Sequence, residues 1–177
     1  MKVVLSHSLR YTFAVNRPFK KLSLYLETSV WNFIYADDAP EKRDATKRFF
    51  EEIKADHYDV FISEHVLAEI SRTSNLKKRG LLEDLIQQYI PILLPPSREV
   101  EELTAVYLRA NIVTTKAYTD LAHIAYAVIY QCDVIVSWNL RHIVRLKTKL
   151  AVNGINKQLG YGEIQIIVPE EVIGYGA

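Results

Sequence analysis

Short apolar runs alternate with longer segments of helical periodicity along most of this chain. Runs with the length and the β-branched or aromatic content of buried strands lie at 21–27, 58–63, 90–96, 132–138 and 163–169. Apolar positions repeat with the period of a helix over 39–55, 64–73, 76–89, 97–110, 119–131 and 139–154. This alternation predicts an α/β fold with a mostly parallel sheet of about five short strands.

Acidic and amide side chains recur close to the ends of the predicted strands. Glu27 ends the first strand in "LYLETSVWNF", and Asn139 follows the fourth strand. Glu69 lies in the helix after the second strand, and Asp120 begins the helix before the fourth. Because the functional crevice of a parallel sheet lies beyond the carboxyl ends of its strands, we expect these four side chains to meet there.

A set of converging carboxylates predicts a hard divalent cation. Such groups raise one another's pKa unless a cation compensates their charge. Oxygen ligands without a His or Cys cluster favour Mg²⁺ or Mn²⁺, and such a site supports phosphodiester cleavage. Taken singly, each residue also has a structural explanation. Glu27 and Asn139 suit helix caps, Glu69 a solvated helix flank, and Asp120 the positive end of a helix dipole.

Several other classes of site are excluded by the composition. The first glycine is Gly80, so no phosphate-binding glycine loop follows either of the first two strands, and no G-x-S-x-G motif occurs. The single Cys132 rules out an internal disulfide framework and fits a reducing compartment. No apolar run reaches the roughly 18 residues of a membrane span. We therefore expect a cytoplasmic protein with no membrane partner.

Charge is distributed unevenly along the chain, although the net charge is only +1. The first 26 residues contain several Lys and Arg but no acid. We interpret residues 1–21 as a basic N-terminal arm and residues 22–177 as a single domain. A second basic stretch begins at Arg141, directly after Asn139, and it would suit the phosphates of RNA or form a solvated helix face.

The order of these motifs resembles that of the PIN domain family, which includes toxin-type, VapC-like ribonucleases. The resemblance is carried by "YLETSVWNF", by "SEHVLAEI" and by "TDLAHIAYAVIYQCDVIVSWNLRHI", and it extends from about Leu22 to Val172. It implies a three-layer α/β/α sandwich and a metal-dependent endoribonuclease, acting as the toxin of a toxin–antitoxin pair. RNA would be the substrate, an antitoxin protein a partner, and a homodimer the expected assembly. The apolar residues of "LLEDLIQQYIPILL" would form the dimer surface or equally belong to the core.

The resemblance also assigns roles to residues. It implies that Glu27, Glu69 and Asp120 are catalytic and ligate Mg²⁺ or Mn²⁺, with Asn139 as an outer or water-mediated ligand. Further candidates for substrate contact are Thr28, Ser29, His123 and Arg141, although His123 equally suits a hydrogen-bonded histidine of the core.

Two positions depart from the family pattern. The first acid is usually Asp and is Glu27 here, and the position of Asn139 is commonly Asp. Since Asn carries no charge, the second change weakens the expected affinity for a divalent ion. The alternative function is therefore a catalytically weak or inactive PIN-fold module that binds RNA or a partner protein.

Overall fold

A five-stranded, all-parallel sheet forms the centre of the fold. The structure, a computed structural model, describes residues 21–113 and 118–175. The strands are β1 (Leu22–Leu26), β2 (Tyr58–Ser63), β3 (Ile92–Leu94), β4 (Val134–Val136) and β5 (Gln165–Ile167). They lie side by side in the order β3-β2-β1-β4-β5. The predicted strands are therefore confirmed, with three of them shortened to three residues each.

Helices connect the strands and give the predicted α/β/α architecture. Within the described residues they are α1 (Thr28–Phe33), α2 (Pro40–Lys54), α3 (Glu64–Ser71), α4 (Leu76–Tyr89), α5 (Arg98–Arg109), α6 (Tyr118–Ile129), α7 (Leu146–Leu159) and α8 (Pro169–Val172). Because parallel strands need right-handed crossovers, the two directions of travel along the sheet put helices on both of its faces.

The helix predicted over 139–154 is wrong in both of its bounds. The Asn139 side-chain oxygen accepts a hydrogen bond from the His142 backbone N–H at 3.0 Å and closes a turn after β4. Helix α7 therefore begins only at Leu146. It continues through Gly154 and ends at Leu159, and the following Gly160 has a φ of 82°, the left-handed conformation that suits glycine after a helix.

The order of the strands determines where a crevice opens. From β1 the chain passes to β2 and β3 on one side, then crosses to β4 and β5 on the other. Adjacent strands that lead in opposite directions leave a crevice at their carboxyl ends, here between β1 and β4. Leu26 pairs with Val136, and the Glu27 N–H donates to the Val136 carbonyl at 3.1 Å. The residues after both strands therefore leave the sheet side by side.

Aromatic packing supports the crevice from below. Trp31 in α1 is fully buried and meets Phe50 of α2 edge-on, with ring centroids 5.2 Å apart. Beyond β4, the Trp138 indole N–H donates to the Thr46 hydroxyl at 2.8 Å. These contacts fix α1 and the segment after β4 against α2, so the crevice has a rigid floor.

The predicted basic arm lies outside the described residues except for its last member, Lys21. The Lys21 ammonium lies 3.1 Å from Asp59, and it also pairs with Asp56, which ties the start of the described chain to the region around β2. No helix within the described ranges is both long and apolar enough to cross a membrane.

Candidate active site

Three carboxylates line a single cleft of about 610 Å³ at the carboxyl ends of β1 and β4. Glu27 enters it directly after β1, Glu69 from α3 and Asp120 from the first turn of α6. The other lining residues are Thr28, Ser29, Asn32, Phe33, Arg72 and Asn139. The structure thus brings all four residues of the predicted metal site to one place, together with Thr28 and Ser29.

Glu27 is buried and anchored through one carboxylate oxygen. Its Oε2 accepts hydrogen bonds from the Ser29 hydroxyl and, at 2.7 Å, from the Ser137 hydroxyl. Although Glu27 occupies the N-cap position of α1, its side chain makes no capping hydrogen bond, so a helix cap does not explain it. Its second oxygen, Oε1, has no donor among the described residues. The carboxylate is therefore fixed in orientation and retains an available ligand atom.

Glu69 is anchored in the same manner. Its Oε2 accepts from the Thr28 hydroxyl and lies 3.2 Å from His123 Nε2. Burial alone would raise the pKa of Glu69, but the hydrogen bonds from His123 and Thr28, together with the nearby His123 and His65 rings, outweigh burial and lower it. The side chain is 32% exposed, and its contacts make it part of the cleft rather than a solvated flank.

Asp120 is oriented by Asn139. The Asn139 Nδ2 donates to Asp120 Oδ1 at 3.0 Å, while the Asn139 oxygen is occupied by the His142 N–H. Asn139 consequently faces the cleft with a donor group. Burial raises the pKa of Asp120, and the nearby charge of Glu27 raises it further, against smaller opposing effects of His142 and His123. A neighbouring cation would offset this unfavourable charge at Asp120.

A shared geometry relates the three acids. In each, one oxygen accepts from a protein donor, and the other has no partner among the described residues. Glu27, Glu69 and His123 offer ligand atoms that all lie within 4.8 Å of one another, a group that does not include Asp120. Because hard cations prefer oxygen, the neighbouring carboxylates of Glu27 and Glu69 suit Mg²⁺ or Mn²⁺. Asp120 lines the same cleft.

The remaining predicted substrate contacts, His123 and Arg141, do not line the acidic cleft. His123 is fully buried, with both ring nitrogens engaged, so it cannot meet a substrate directly. Arg141 is exposed and lines a second groove of about 450 Å³ instead of the acidic cleft. We call this second groove the basic groove; it is lined by Asn111, Ile112, Val113, Arg141, His142, Arg145, Lys147 and Thr148.

Two residues, one behind the cleft and one lining it, were not assigned a role from the sequence. Ser137 lies at the exit of β4 and donates to Glu27, a position that strand-exit reasoning marks without distinguishing its role. Arg72 lines the cleft three residues after Glu69. Because residues three apart lie on the same side of a helix, the spacing of Arg72 from Glu69 could have identified Arg72 from the sequence.

Comparisons with known proteins agree with this architecture. The PIN domain model matches residues 24–145, which is more than half of the chain. Among solved structures, one chain of "Crystal structure of VapBC2 from Rickettsia felis bound to a DNA fragment from their promoter" superposes with a TM-score of 0.53. The match covers 83% of this chain and 98% of that chain at 14% sequence identity, so it speaks for the fold alone. No curated protein gives a significant match.

Proposed function

The chain belongs to the PIN domain family, and from that premise we propose that it is a metal-dependent endoribonuclease that hydrolyses RNA phosphodiester bonds. The observation that supports this proposal is the arrangement of Glu27, Glu69 and Asp120, each held through one oxygen while the other remains available. Mg²⁺ or Mn²⁺ held there would activate water and neutralise charge that develops at the phosphate. The protein's own contribution is to keep three like charges together and correctly oriented.

Each residue around the cleft has a distinct role in this proposal. Glu27 and Glu69 would hold the cation, and Asp120 would complete the set of negative charges around it. Thr28 and Ser29 donate hydrogen bonds to Glu69 and Glu27, and both also line the cleft, where the proposed substrate contact stays a prediction. Asn139 orients Asp120 and acts as an outer group, because its own oxygen is engaged.

A calorimetric titration of Mn²⁺ and of Mg²⁺ tests the metal site. We expect wild-type protein to bind, and Asp120→Asn to bind at least about tenfold more weakly, since it removes one charge from the set. Asp84→Asn, an exposed acid on α4, is the matched control and should bind as wild type does. Cleavage of a single-stranded RNA should follow the same ranking and cease with EDTA. Undiminished cleavage by Asp120→Asn would contradict the assignment.

The alternative function is an RNA- or protein-binding module with weak or no catalysis. It is favoured by one observation: Asn139 presents a neutral donor to the cleft at a position where the family commonly has a carboxylate. In this case RNA binding persists in EDTA, and no added metal produces cleavage. The two outcomes of the RNA experiment therefore distinguish the alternatives.

A toxin role requires an inhibitory protein partner. The structural neighbour from Rickettsia felis is a VapBC2 assembly bound to promoter DNA. By analogy, we propose that this chain acts as the toxin of such a pair. Co-expression with the product of an adjacent reading frame should relieve growth arrest, and the same product should inhibit RNA cleavage in vitro. If no product of an adjacent reading frame inhibits RNA cleavage, the proposed toxin–antitoxin pairing is contradicted.

A homodimer is also part of the proposal. Ile90, Ile92 and Leu93, at the end of α4 and in the edge strand β3, are 80%, 53% and 51% exposed. Neighbouring exposed aliphatic side chains are unusual on a monomer and are typical of an association surface. Light scattering should give a dimer mass for wild type and a monomer mass for Ile92→Lys. A monomeric wild type would remove the dimer from the proposal.

A further inference from the structure

A buried chain of hydrogen bonds runs from the end of β2 to the acidic cleft. The Ser63 hydroxyl lies 2.6 Å from the Tyr25 hydroxyl, which lies 2.7 Å from His123 Nδ1. His123 Nε2 in turn lies 3.2 Å from Glu69 Oε2. The side chains of Ser63, Tyr25 and His123 are completely buried. Buried polar groups of this kind destabilise the folded protein unless each has a hydrogen-bond partner, and each of these three side chains has one.

The carboxylate at the end of this hydrogen-bonded series determines which nitrogen of His123 carries a proton. A carboxylate only accepts hydrogen bonds, so His123 must carry a proton on Nε2 to bond Glu69. This assignment holds whether the ring is neutral or charged. With Nε2 protonated, the imidazole has no lone pair to offer a cation at that atom. His123 therefore belongs behind Glu69 and not beside it as a ligand.

We infer that His123 is a positioning residue, which selects the Glu69 oxygen that faces a cation. By holding Oε2, together with the Thr28 hydroxyl, it leaves Oε1 for the metal. Tyr25 and Ser63 fix the tilt of the imidazole from the other side. The inference rests on the metal site of the proposed function. Partners of metal-ligating side chains typically contribute tenfold to a hundredfold in metal affinity.

Two substitutions separate the two contacts of the ring. A Gln amide extends to the position of Nε2 and can still donate to Glu69, whereas an Asn amide extends only to the position of Nδ1 and keeps the Tyr25 contact. We expect His123→Gln to retain Mn²⁺ affinity within about threefold, and His123→Asn to lose about tenfold to a hundredfold. Urea unfolding of both variants confirms that each is folded before the titration.

The matched control is His65→Asn. The His65 ring is half-buried, with its centroid 6.1 Å from that of His123, but His65 makes no hydrogen bond to Glu69. It should leave Mn²⁺ affinity unchanged. Wild-type Mn²⁺ affinity in folded His123→Asn would overturn the inference, as would equal losses in the Gln and Asn variants.

A second measurement needs no metal, so it separates this inference from the proposed function. In metal-free protein, ¹H–¹⁵N NMR of the imidazoles should show His123 protonated on Nε2, with a resonance that moves in Glu69→Ala. A proton on Nδ1 alone, or a resonance that does not respond to Glu69→Ala, would overturn the inference. If wild type binds no Mn²⁺ but the Nε2 proton is found, the proposed metal site fails while the contact to Glu69 stands.

Discussion

Asp120 illustrates how a single site residue works against the stability of the fold. Burial and the charge of Glu27 raise its pKa, so its ionised form is disfavoured in the folded protein. Asn at this position removes that charge and keeps an acceptor for Asn139. In metal-free buffer at neutral pH, we expect Asp120→Asn to raise the free energy of unfolding by a few tenths to about 1 kcal/mol, given partial solvent screening.

The sign of this effect depends on pH. A carboxyl group whose pKa is raised by folding destabilises the protein above that pKa and ceases to do so below it. The advantage of Asp120→Asn should therefore shrink as the pH is lowered through the pKa of Asp120. Urea unfolding in EDTA across that pH range measures it. A variant less stable than wild type at neutral pH would contradict the proposed charge conflict.

Residue positions were predicted better than residue contacts. Strand exits and helix starts located Glu27, Glu69 and Asp120 correctly at one rim, because the order of strands and helices is a local property of the sequence. The partners of Glu69 are Thr28 and His123, which lie 41 and 54 residues away from it. No periodicity in α3 contains that information, so the sequence taken alone favoured a solvated Glu69, and only the packing of the elements shows an anchored one.

Among the elements, α4 ends in a conformation that its sequence does not favour. Ile90 follows the helix with a φ of 44°, a left-handed conformation that β-branched residues rarely adopt. The side chain is 80% exposed and loses little packing on removal. Because Gly adopts this conformation without the Cβ clash, we expect Ile90→Gly to stabilise the protein by about 1 kcal/mol.

Thermal and urea unfolding of the Ile90→Gly variant measure this effect. Ile92→Gly in β3 is the control for general loss of an exposed isoleucine, and it should destabilise, because Gly weakens a strand. Both measurements belong at low protein concentration, where association contributes least. Destabilisation by Ile90→Gly would indicate that this side chain makes a contact worth more than its backbone strain.

The wrong bounds predicted for the helix over 139–154 also have their cause at the scale of secondary-structure elements. Residues 139–145 have the composition of a basic helix, but the Asn139 side chain bonds the His142 N–H and offers the backbone a turn instead. Short polar side chains compete with helices in this way, and the packing of the neighbouring elements decides the outcome. The existence of α7 was therefore predictable, whereas its beginning at Leu146 was not.

At the scale of the whole molecule, net charge says little about RNA binding, because charges are separated into two neighbouring sites. The acids occupy the cleft, while Arg141, Arg145 and Lys147 line the basic groove, with no carboxylate partner among the described residues. We expect RNA phosphates to lie in the groove. Changing both Arg145 and Lys147 to Gln should then reduce the slope of log affinity against log salt by about 1.4.

Lys157→Gln is the control for this experiment. Lys157 lies in the last turn of α7, the helix that begins beside the groove, and it carries the same charge at a distance of roughly 15 Å along the helix. Its substitution should change the salt slope far less than the groove pair does. Equal slopes for the two variants would place the RNA elsewhere on the surface.

The pairing of β1 with β4 joins residues 110 positions apart, as Leu24 with Val134. Contacts between such distant parts of a chain form late, and during synthesis β1 cannot pair with β4 until β4 has been made. The acidic set is complete only once residue 120 of 177 has been added, and β1 is enclosed only after β4 emerges. A nascent chain on the ribosome, surrounded by RNA, therefore lacks an assembled cleft. The topology would therefore withhold the proposed ribonuclease activity from incomplete copies of the chain.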